Sequence, residues 1–139
     1  MLDHAIAIAR QAHQGQVDKA GKPYIEHPLR VMEACQDDPM AAMAAVLHDV
    51  AEDCPEWPIE RLEAEGFPEP VIEALDLLCH RKETPYLAYI AAIKANPIAK
   101  RVKLADLEDN MDLGRLDNPG PKDRQRLVKY MAAKQQLLA

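Results

Sequence analysis

The run Pro39–Asp53, PMAAMAAVLHDVAED, restricts this chain more than any other stretch, and Pro55 closes it. Alanine has the strongest helix propensity and the smallest side chain that still favours a helix, so neighbouring elements can pack closely against it. The run therefore reads as a core-like helix. Its end is unusual. His48, Asp49, Glu52 and Asp53 crowd the last turns. A helix C-terminus carries partial negative charge, which disfavours each carboxylate there by roughly 0.3–1 kcal/mol. Something positive must offset them.

The remaining sequence is read on the same terms. Apolar residues make up 48% of the chain and aromatic residues only 4%, so alanine, leucine and isoleucine fill the interior and favour helix over sheet. Apolar periodicity predicts a helix over 2–14, with Leu2, Ile6, Ala9 and His13 near one face. Gly15, Gly21 and Pro23 punctuate a loop, and a second helix starts near Pro28. A short helix runs from Pro58 to Gly66, and another carries Val71, Ala74, Leu75 and Leu78 on one face. Thr84 caps the next, with Pro85 in its first turn. Two more follow, one through PIAKRVKLADLEDN and one closing the chain. Met32, Met40, Met43 and Met131 read as core filling. No strand, repeat or interdomain linker stands out. The expectation is all-α: residues 1–139 as a single-domain helical bundle.

Charge and cysteine content restrict the partners. A formal net charge of −6 excludes a general nucleic-acid binder and leaves an anionic small molecule, provided cations gather locally. Cys35, Cys54 and Cys79 have no CxxC spacing and read as reduced thiols. The N-terminus lacks a signal-peptide layout, and no apolar run approaches ~20 residues. A soluble, cytoplasmic protein without a membrane partner is expected, and self-association stays open.

Helix geometry places residues i and i+4 nearly one above the other. His48 and Glu52 share one face of the third helix, and Asp49 and Asp53 share the adjacent one. A cation between those faces takes His48 and Asp49 directly and leaves Glu52 and Asp53 one layer out. A second acidic cluster, KLADLEDNMD, sets Asp106 and Asn110 at i and i+4 with Asp109 and Asp112 beside them. His27 stands just before Pro28. His27, His48, Asp49 and Asp106 together form a nitrogen–oxygen donor set suited to a six-coordinate divalent ion such as Mn²⁺, with positions left open. Each residue also has an ordinary reading: a helix cap for His27, solvated surface for the acids. Their combination points to a metal.

These segments, AHQGQVDKAGKPYIEHPLRV, LHDVAED and VKLADLEDNM, resemble the ordered motifs of the HD-domain phosphohydrolases. The nearest branch is the hydrolase domain of the RelA/SpoT family and its small stand-alone relatives, which remove pyrophosphate from the 3′ position of the alarmone (p)ppGpp. The resemblance implies the helical HD fold. It implies His27, His48, Asp49 and Asp106 as Mn²⁺ ligands, and Glu52 and Asp53 as the acidic pair that positions and activates the attacking water. It implies Asn110 near the substrate's ribose and phosphates, and Lys19 and Tyr24 in a substrate-facing loop. An anionic nucleotide also needs cations. Lys19 is the first choice. His80, Arg81 and Lys82 either contact phosphate or compensate the end of the preceding helix. Arg115 follows Asp106. His13 reads as a buried histidine supporting His27.

The chain departs from the family pattern in three places. Asp18 stands where long members carry arginine, Leu107 replaces an arginine and Asp109 a histidine. The ligand positions are untouched, so the departures bear on nucleotide recognition. Three functions compete: a Mn²⁺-dependent alarmone 3′-pyrophosphohydrolase, an HD phosphohydrolase for another nucleotide or phosphoester, and a non-catalytic module binding a nucleotide or partner.

Overall fold

The computed structural model describes residues 1–139 apart from Leu113, Arg115 and Asp117, so the cation expected at Arg115 lies outside the described residues. Among the described residues eight helices follow in order: α1 (Leu2–Ala12), α2 (Glu26–Ala34), α3 (Pro39–Asp53), α4 (Ile59–Ala64), α5 (Glu69–Leu78), α6 (Tyr86–Lys94), α7 (Pro97–Asn110) and α8 (Pro121–Leu138). Among the described residues there is no strand, only an isolated bridge between Val17 and Pro23.

Helix α3 is the axis of the fold. Asp38 caps it by accepting from the backbone N–H groups of Met40 and Ala41, and Pro39 supplies a preset φ in the first turn. Ala41 through Val50 are all buried, and α1, α2, α5 and α7 pack around them. Its alanines let those four helices approach. Val46, Leu47 and Val50, fully buried, each contribute roughly 1.5–3 kcal/mol of apolar transfer. Cys54 leaves the helix in an extended conformation ahead of Pro55, as a residue before proline must. Helix α7 is built on the same plan, with Asn96 accepting from the Ala99 N–H and Pro97 in the first turn. Helices α6 and α8 pack on each other and on α7.

Some local expectations differ from what forms. Helix α2 begins at Glu26 rather than Pro28, which moves His27 inside the first turn. Thr84 does not cap α6; Pro85 precedes the helix without a side-chain cap, and the Thr84 carbonyl accepts from the His80 ring instead. On α1 the buried stripe is Ala5, Ile8 and Ala9, with Leu2 and Ile6 on its flank. Met131 is 52% exposed rather than in the core. None of the described helices is long and apolar enough to cross a membrane.

Candidate metal centre and adjoining cleft

Three helices each deliver ligand-type side chains to one buried point. The first turn of α2 carries His27, the interior of α3 carries His48 and Asp49, and α7 carries Asp106. Donor atoms of His27, His48 and Asp106 lie within 4.8 Å of one another. Asp106 Oδ1 is 2.9 Å from His27 Nε2 and 3.3 Å from His48 Nε2. Asp49 closes the group, with its carboxylate 3.4 Å from His27 Nε2 and 3.2 Å from His48 Nε2. All four residues are buried.

The outer atoms of these side chains are engaged as well. His48 Nδ1 donates to the Ala45 carbonyl at 2.5 Å, and His27 Nδ1 donates to Asp109 Oδ2 at 2.6 Å. Both rings therefore turn Nε2 toward the same point, the usual way a protein orients metal-ligating histidines. Tyr24 donates its hydroxyl to Asp49 Oδ2 at 2.8 Å. Asp106 is split between two tasks. Its Oδ2 accepts from Lys103 Nζ at 3.1 Å, while Oδ1 faces the histidines and accepts from Asn110 Nδ2 at 3.2 Å.

The protonation states follow from this crowding. Burial by itself lowers both imidazoles; for His27 the hydrogen bonds to Asp106 and Asp109 outweigh it and push the ring up to about 9. For His48 the charge of Asp49 and the contact with Asp106 do the same, to about 10. Burial raises Asp106, but the Lys103 ammonium and the two imidazoles hold it well below the usual carboxylate range. Without an ion, protons thus supply the positive charge that the end of α3 calls for. Two imidazole nitrogens and two carboxylates converging in a buried site fit a divalent ion, which would take over that charge.

Glu52 and Asp53 stand at the solvent end of α3, both exposed. Partial desolvation and then the charge of Asp53 push Glu52 up to about 7. Desolvation and then Asp49 raise Asp53. His13 is buried with its ring tilted against Tyr24 at 5.0 Å, so it backs the Asp49 partner rather than His27 directly.

Beside the ligand group opens a cleft of about 470 Å³. Lys19, Tyr24 and Asn110, expected at the substrate, all line it, together with His27. So do Arg30, Arg126 and Tyr130, which sequence reading did not single out. Each of the cleft's described cations is matched by an acid: Lys19 lies 3.7 Å from Asp123, Arg126 3.0 Å from the same carboxylate oxygen, and Arg30 2.8 Å from Asp109. Asp18 also lines the cleft, but its Oδ1 accepts from the Ala20 and Lys22 N–H groups at 2.9 and 3.0 Å. That carboxylate organises the loop itself. Leu107 is fully buried in the core.

The basic triplet after α5 is not brought to this cleft. His80 donates to the Thr84 carbonyl and stacks on Tyr89, and Arg81 pairs with Asp76 on the surface. Lys82 is exposed and none of the three lines the cleft. The extended geometry of Cys79 at the end of α5 turns the chain toward α6 here. Arg30, not singled out from the sequence, had a readable signal, three positions beyond His27 on α2, and Asp109, noted there beside Asp106, has the same spacing on α7. Lys103 carried the mirror signal, three before Asp106. Arg126 and Tyr130 had none, because α8 reaches the cleft only through packing.

Residues 5–104 match the HD domain family. A guanosine-3′,5′-bis(diphosphate) 3′-pyrophosphohydrolase of Haemophilus influenzae is 36% identical over 137 residues, covering 88% of this chain and 20% of that protein. The bifunctional (p)ppGpp synthase/hydrolase SpoT of Escherichia coli is 35% identical over 141 residues, covering 92% of this chain and 20% of that protein. The chain thus spans about a fifth of the length of these relatives. It belongs to the HD-domain family. Within that family its likeness is to hydrolases of the RelA/SpoT type.

Proposed function

We propose that residues 1–139 act as a single HD-type domain that hydrolyses the 3′-pyrophosphate of (p)ppGpp, releasing GDP or GTP and pyrophosphate, with Mn²⁺ at His27, His48, Asp49 and Asp106 in a cytoplasmic setting. The observation that carries the reading is the convergence of those four side chains from α2, α3 and α7 beside a nucleotide-sized cleft that His27 lines. The ion would supply a Lewis acid for a phosphate oxygen and lower the pKa of water toward neutrality. The protein's own groups do the rest. Glu52, held near neutral pH, takes a proton from the attacking water, with Asp53 beside it. Tyr24 orients Asp49, and Lys103 and Asn110 orient Asp106. Lys19, Arg30 and Arg126 meet the substrate's anionic groups from the cleft wall, with Asn110 at its ribose and phosphates.

The acids among those cations favour a second reading, an HD phosphohydrolase for a nucleotide of lower charge than ppGpp. Asp18, Asp109 and Asp123 line the same cleft and cancel part of its positive charge. A non-catalytic module is disfavoured by the Glu52–Asp53 pair, which binding alone does not need.

Activity of Mn²⁺-loaded protein on (p)ppGpp and on a panel of nucleotides, with products identified, separates these. Pyrophosphate and GDP from ppGpp as the best turnover is the expected result. Faster turnover of a less charged nucleotide selects the second reading, and no turnover of any substrate selects the module.

A further inference from the structure

We infer that Asp109 and Arg30 are positioning residues that aim His27 into the metal centre, an inference that rests on the metal site proposed above. Asp109 lies three residues beyond Asp106 on α7. Its Oδ2 lies 2.6 Å from His27 Nδ1, and its side chain is only 11% exposed. Arg30 grips the same carboxylate in two places, Nε to Oδ1 at 2.8 Å and a terminal guanidinium nitrogen to Oδ2 at 3.1 Å.

The spacing explains the arrangement. His27 and Arg30 are three apart on α2, and Asp106 and Asp109 are three apart on α7, so each pair shares a helix face. Where the two faces meet, His27 reaches Asp106 with Nε2 and Asp109 with Nδ1, and Arg30 reaches Asp109. A carboxylate on Nδ1 keeps the proton on that nitrogen. The Nε2 lone pair is then directed at an ion, and the ring cannot flip. A planar guanidinium bonded at both oxygens fixes the carboxylate's own orientation and balances its charge. The chain runs from Arg30 through Asp109 to His27 and ends at the ligand atom.

A plain clamp between α2 and α7 predicts lower thermal stability on mutation and unchanged ion affinity. A positioning role predicts lost affinity. Mn²⁺ affinity is measured from the EPR signal of free ion, without substrate, for wild type, Asp109→Asn, Asp109→Ala, Arg30→Ala and the Asp109→Ala/Arg30→Ala double variant. Circular dichroism checks that each stays helical. Partners of this kind are worth about 10–100-fold in metal affinity, and Asp109→Ala is expected to fall in that range. Arg30→Ala should lose less, and the double variant no more than Asp109→Ala, because Arg30 acts through Asp109. If Asp109→Ala does not fold, the isosteric Asp109→Asn carries the test in the same direction. A folded Asp109 variant binding Mn²⁺ within about twofold of wild type overturns the inference, whatever its Tm; the threshold lies well below the expected loss. Additive losses in the double variant overturn the part assigned to Arg30. Wild type that takes up no Mn²⁺ overturns the metal centre and this inference with it. Failure to hydrolyse (p)ppGpp with normal ion binding touches the substrate reading alone.

Discussion

In the proposed reaction Glu52 is the base, and its surroundings suit it to that role. It lies one turn beyond His48 on α3, and partial desolvation with Asp53 alongside raises it to about 7. A carboxyl titrating there is matched to accepting a proton near neutral pH, and general-base help is typically worth ~10²–10⁴-fold. Glu52→Gln removes that base and leaves His27, His48, Asp49 and Asp106 in place. The expected outcome is kcat lower by about that factor, with Mn²⁺ content by elemental analysis unchanged. Near-full kcat with the ion bound would transfer the role to Asp53. Asp18 is the opposite case. Its place in the motif suggests substrate contact, yet its Oδ1 accepts from two backbone N–H groups of its own loop.

At the scale of the element, α3 sets both the packing and the site. Ala44 is fully buried and lies one turn before His48 on the same face. Ala44→Leu forces extra methylenes into a closed interior, at a cost of roughly 1–3 kcal/mol. It also pushes on the turn that holds His48. The denaturation midpoint should drop accordingly with an unchanged m-value, and Mn²⁺ affinity should fall with it. Ala91→Leu, at an exposed position on α6, should alter neither. Equal effects from both substitutions would show that α3 has slack that its burial does not reveal.

For the whole molecule, folding and ion binding compete for the same protons. The folded pKa values of His27 and His48, about 9 and about 10, lie above the ordinary 6.5. Their contribution to ion-free stability is therefore fully present below about pH 6.5 and is lost as pH rises through about 9 and 10. An ion needs both Nε2 atoms free of protons, so binding below that range releases protons. Mn²⁺ affinity should climb with pH between about 6.5 and 9, by up to tenfold per unit for each proton displaced. Calorimetric titration in buffers of different ionisation enthalpy measures the release directly. Affinity independent of pH over that interval would mean the imidazoles are already neutral.

The helices and the shared faces of α3 were legible in the sequence because both rest on local spacing. Pro39 and Asp38 start α3, alanines carry it, and Pro55 stops it, all within one segment. His48, Asp49, Glu52 and Asp53 share neighbouring faces by the geometry of one helix, and the motif order brought in His27 and Asp106. What tertiary structure decided lies between helices. The Arg30–Asp109–His27 chain needs α2 and α7 to meet face to face across about 80 residues of sequence. The contact of Lys103 with Asp106 depends on how α7 is rotated, and the places of Arg126 and Tyr130 on how α8 docks. The triplet His80, Arg81 and Lys82 looks in sequence like a phosphate site and is turned away from the cleft by the corner after α5. Residue spacing sets which side chains share a face; only packing of the faces sets which of them meet.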